Sequence, residues 1–154
     1  MNATPYHHTQ VGRIHWLVAV IGAFEVAIGL LAEAPSYVAV LLLVIGTSFL
    51  VLAASFRQLT VREVGDQLEL RFGPFPMFRR RIAYAAIQSF EVGRSRWIDG
   101  LGVHWIPGRG WTWNLWGFDC VELKTTRGPL RIGTDDPQGL AAHIAERITV
   151  REGT

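Results

Sequence analysis

Two long apolar stretches, Ile14 to Ala32 and Tyr37 to Phe56, are joined by only Glu33, Ala34, Pro35 and Ser36. A helix rises about 1.5 Å per residue, so roughly 20 residues cover the ~30 Å hydrocarbon core of a bilayer, and each stretch can span it. A link this short allows only a helical hairpin. From Gln58 onward the composition is that of a soluble protein, which leaves about 97 of the 154 residues for one small domain. The expected layout is a tail over 1–13, a transmembrane hairpin over 14–56 (spans 14–32 and 37–56), a domain over 58–149 and a short tail over 150–154.

Flanking charge sets the orientation. Arg13 precedes the first span and Arg57 and Arg62 follow the second, whereas the connection carries only Glu33. The positive-inside rule then predicts both termini and the domain in the cytoplasm, with Trp16 and Tyr37 at headgroup level. A competing reading takes Ala32, Glu33 and Ala34 as a signal-peptide cleavage pattern. The apolar region exceeds the usual 7 to 15 residues, however, and a second span follows at once. From Arg62 on, 13 Lys and Arg face 11 Asp and Glu, a balance that gives no reason to invoke nucleic acid. The single cysteine, Cys120, excludes an intrachain disulfide and fits a reducing compartment.

Glu25 is the costly residue of the first span. A central acid opposes insertion by about 2.5–3.5 kcal/mol, while each large apolar residue favours it by about 0.3–0.6. The ten Leu, Ile, Val and Phe residues of the first stretch thus leave little margin. Folding back at Pro35 brings Glu25 close in depth to Thr47 and Ser48, whose hydroxyls could bond the carboxyl. Contact with another membrane subunit and a proton-relay role are the other readings. Ala19, Ala23 and Ala27 recur every four residues, with Gly22 and Gly29 nearby and Gly46 in the second span. Small residues at such spacing let helix backbones approach in lipid, within the hairpin or between chains.

Beyond the spans, the period changes from helical to two. Leu59 and Val61 alternate with Thr60 and Arg62, and Leu68, Leu70 and Phe72 with Glu69 and Arg71, across a Gly65-Asp66 turn. Further strands are expected at 78–82, from Phe90 to about Trp97, at 103–106, at 111–115, and around Val121 and Leu130; Tyr84 to Ile87 reads as a helical corner. About seven strands result. The last element is a helix capped by Asp135 or Asp136, with Pro137 at its first position and Leu140, Ile144 and Ile148 on one face.

This order resembles a pleckstrin-homology fold. The segment Arg131-Ile-Gly-Thr-Asp-Asp-Pro-Gln-Gly-Leu is similar to those of the bacterial PH-domain families of small membrane proteins. So are Gly73-Pro-Phe-Pro ahead of Arg79-Arg-Arg-Ile-Ala-Tyr-Ala-Ala-Ile, and Trp113-Asn-Leu-Trp-Gly. The resemblance covers about Leu59 to Ile148 and the preceding pair of spans. It implies a small barrel or sandwich closed by a C-terminal amphipathic helix, in a bacterial inner membrane. It also implies a non-catalytic binding, assembly or scaffold role, without cofactor or metal. The loop between the first two strands lacks the basic residues of phosphoinositide binders, so inositol-phosphate recognition is not expected.

Arg79, Arg80 and Arg81 offer another basic run, either a solvated strand edge or a contact for anionic headgroups or an acidic partner. On a strand, at most two of them share a face. Trp97, Trp105, Trp111, Trp113 and Trp116 fall close together, as core or as an exposed patch for the bilayer interface or a subunit. His7 and His8 lie in the tail and the other histidines stand apart, which gives no metal-ligand spacing. Two functions follow: an accessory subunit of a larger membrane protein complex, or a homo-oligomeric transport or sensing protein that uses Glu25.

Overall fold

The computed structural model of the chain describes residues 5–33, 35–74, 78–95 and 100–152. The apolar stretches form α1 (Ile14–Leu31) and α2 (Ser36–Ser55), both long and apolar enough to cross a membrane. Only 11% of α1 and 17% of α2 is buried inside the protein, so their apolar surface is uncovered, unlike that of a core helix. They pack through glycine. A Cβ on Gly46 would stand 2.7 Å from the carbonyl oxygen of Gly22, and one on Gly22 would stand 2.8 Å from that of Gly46. Farther along, Gly29 lies against Ala39 and Leu43.

Residues 7–11 correct the expected tail. His7–Val11 form a strand, β1, which pairs antiparallel with β2 (Gln58–Val64), register partner Val11 to Gln58. The chain leaves one strand, runs through both helices and returns as its neighbour. Alternation at 7–11 is masked by two histidines and Gln10, so the sequence gives no apolar signal there.

β3 (Gln67–Phe72) and β4 (Arg79–Ala83) complete a four-stranded sheet in the order β1-β2-β3-β4. After a 3-10 turn at Tyr84–Ala86 come β5 (Ile87–Arg94), β6 (Gly102–Ile106), β7 (Gly110–Asn114), β8 (Asp119–Thr125) and β9 (Gly128–Gly133). They form a second sheet, ordered β5-β8-β9-β7-β6, in which β7 and β9 run parallel. The helix α3 (Pro137–Glu152) follows and packs on β5, β8 and the 3-10 turn. Among the described residues nine strands thus stand where about seven are expected, and β5 ends at Arg94, short of Trp97, which lies outside them.

Period-two alternation sends Leu59, Val61, Leu68, Leu70 and Phe72 inward from the first sheet. They meet Val121, Leu123, Leu130, Ile132 and Trp113 of the second and Leu140 and Ile144 of α3 in one core. The helices join this body at several places among the described residues. The Gly12 N–H donates to the Arg57 carbonyl at 3.1 Å, which ties the two chain crossings together. Gly73 lies on the backbone of Ser55, and Gly102 lies beneath the Phe56 ring. No flexible linker separates hairpin and domain.

Candidate functional site

Within the hairpin, the expected partners of Glu25 face elsewhere. Successive helix residues turn by about 100°, so with Gly46 pressed on α1, Thr47 and Ser48 swing to the outside, where both are exposed. Ser48 donates its hydroxyl to the Val44 carbonyl at 2.7 Å. Glu25 keeps one carboxyl oxygen, Oε2, enclosed with no hydrogen-bond partner. The small-residue stripe also divides. Gly22 and Gly29 make the hairpin contact, whereas Ala23 and Ala27 are exposed and Ala19 is half-buried.

The arginine run separates by strand parity. Arg79 and Arg81 lie on the outer face of the first sheet and Arg80 on the other. Glu69, between core residues Leu68 and Leu70, is in register with Arg62 on β2 and Arg81 on β4. All three outer arginines converge on it. Arg62 Nη2 donates to Glu69 Oε1 at 2.7 Å, and Arg81 Nε to Oε2 at 2.8 Å, where Arg79 also bonds. The carboxylate is wholly buried beneath guanidiniums that are themselves about half exposed. Burial raises its pKa, but the hydrogen bonds from Arg81 and Arg62 outweigh that and hold it below the ordinary glutamate value. Three arginines against one carboxylate leave this face cationic.

Arg80 reaches the opposite edge, its guanidinium 5.9 Å from the centre of the Trp111 ring. Trp111 is paired across the ladder with Trp105, and the two are 42% and 57% exposed. β6, which carries Trp105, is an edge strand of its sheet. Trp113 is buried in the core, its ring 5.7 Å from that of Phe72. Trp116 lies elsewhere, beside the helices: Leu115 fills the space above Gly12, and Gln10 Nε2 donates to the Trp116 carbonyl at 2.8 Å. The expected tryptophan cluster is thus a core residue plus two separate surfaces.

A fourth assembly was invisible in the sequence because its members come from five segments. Glu63 on β2 bonds Arg147 of α3 and lies 3.2 Å from His143 Nε2, which also meets the Tyr84 hydroxyl at 2.9 Å. Tyr6 stacks on His143 at 5.2 Å, and its hydroxyl donates to Asp136 Oδ2 at 3.2 Å. Burial lowers the pKa of His143, and the nearby Glu63 partly offsets this. Asp136 accepts the Gly139 N–H at 3.0 Å, the geometry of a helix N-cap ahead of Pro137, while Asp135 pairs with His8 at 2.6 Å. Polar bonds of this kind fix α3 and β1 onto the sheet.

No protein-family model matches the chain, and no curated protein matches it either. The surfaces themselves therefore carry the functional reading.

Proposed function

We propose that this protein is a non-catalytic, membrane-anchored module of the bacterial PH-like kind, serving as an accessory, assembly or scaffold subunit of a larger membrane complex. In this reading α1 and α2 span the inner membrane, and the termini and the domain lie in the cytoplasm. The observation that carries it is the Trp105–Trp111–Arg80 edge. Trp105 on the edge strand β6 and Trp111 on the adjoining β7 are both exposed, with the half-buried Arg80 guanidinium of the other sheet against the Trp111 ring, and these are the residue types that dominate protein-protein hot spots. The unused Ala23 and Ala27 surface of α1 supplies a second contact within lipid, and the cationic Arg62–Arg79–Arg81 face suits an acidic partner or anionic headgroups.

Mass spectrometry of the protein isolated in mild detergent from its native membrane tests this. Stoichiometric foreign subunits are expected, and Trp105→Ala should reduce their recovery without lowering the melting temperature. A pure homo-oligomer sinks the proposal. The partnerless oxygen of Glu25 favours that second reading, a small oligomeric transport or sensing protein. There, Glu25→Gln would abolish flux in reconstituted vesicles; in an accessory subunit it changes little.

A further inference from the structure

The end of the domain that meets the helices carries exposed apolar side chains. Leu101, Trp116 and Phe118 are 43%, 46% and 38% accessible. We infer that this end is embedded in the phospholipid headgroup layer, with these three side chains contacting the upper acyl chains. The inference rests on the reading of α1 and α2 as membrane spans.

Length fixes the depth. The 18 residues of α1 and 20 of α2 reach about 27 and 30 Å, no more than a hydrocarbon core requires. Neither helix has turns to spare. Ile14 and Ser55 must therefore sit at the hydrocarbon boundary, beneath a headgroup layer about 5–8 Å thick on each side. Three contacts between domain and hairpin among the described residues fall in that layer. Gly73 meets Ser55 itself, Gly102 meets the next residue, Phe56, and Leu115 meets Gly12, two residues before Ile14. Two extended residues reach at most about 7 Å.

Leu101 adjoins Gly102 and Trp116 adjoins Leu115, so both stand at that level, with Phe118 two residues on. Indole and phenyl rings favour this depth, where an apolar ring body and a polar edge are both accommodated. Arg13 and Arg57 are exposed at the same level and are placed to meet lipid phosphates. Trp105 differs. Three residues farther along β6 from Gly102, it lies up to about 10 Å beyond that contact. The tryptophans of one molecule therefore calibrate one another.

The test uses the full chain labelled with fluorotryptophan in phospholipid nanodiscs that carry a nitroxide at the top of the lipid acyl chain. Phe variants at Trp16, Trp105 and Trp116, all exposed, assign the fluorine resonances. Trp16, in the first turn of α1, and Trp116 should both lose intensity severalfold more than Trp105. If Trp16 is attenuated while Trp116 behaves like Trp105, the rim does not enter the lipid and the inference falls. An unattenuated Trp16 overturns the spanning reading beneath it. Shielding of Trp116 that appears only in the isolated native complex assigns the patch to a protein subunit instead.

Discussion

At the residue scale, Glu69 exchanges hydration for three arginine partners. Hydrogen bonds to charged groups contribute about 1.5–3 kcal/mol, but the half-exposed arginines rehydrate when their acceptor is lost. Glu69→Gln should therefore cost about 1–3 kcal/mol, read from thermal unfolding in detergent. Because the folded pKa of Glu69 is depressed, its contribution is complete above the ordinary value of 4.5 and is lost as pH falls through the lower folded value. The difference between wild type and Glu69→Gln should accordingly shrink below about pH 4.5; a constant difference across that range would refute the ion-pair account. Strand alternation places Glu69 on the outer face from sequence alone. Its three partners come from pairings that only the folded register creates, so Arg79 and Arg81 read as a free basic run.

At the element scale, the helices, the 3-10 corner, the capped α3 and most strands were legible because each is encoded by local periodicity or punctuation. β1 was not, since its order derives from pairing with β2 and not from its own side chains. Which of the small residues face the partner helix is not decided by the sequence, for a related reason. Alanines every four residues and glycines every seven both permit close approach, and only the rotation of α1 decides between them. That choice is testable. Gly46→Val forces branched atoms into the Gly22 backbone and should cost about 1–3 kcal/mol, whereas Ala27→Val, on the exposed side, should leave the melting temperature within error. Equal effects would show that the two faces are not distinguished.

At the scale of the whole molecule, the first sheet is complete only when residues on either side of the helices meet. Replacing residues 12–57 with Asn-Gly would join the register partners Val11 and Gln58 through a two-residue hairpin. The product should keep a cooperative β-rich melt and lose the circular-dichroism signal of two helices, while its bared Leu101, Trp116 and Phe118 make it detergent-dependent. Loss of cooperative unfolding would mean that the hairpin is part of the domain's core. The same topology bears on biogenesis. On the proposed topology, β1 is synthesised first and must wait, unpaired, while some 46 residues pass into the bilayer and return. A loop that long imposes a closure entropy growing as about (3/2)RT ln n, but a correctly inserted hairpin delivers both of its ends to the same membrane surface and removes most of it. A chain with one span stalled or inverted leaves β1 and β2 on opposite sides of the membrane. On that topology, completion of the sheet reports correct insertion, and its failure leaves an open strand edge for proteolytic surveillance to recognise.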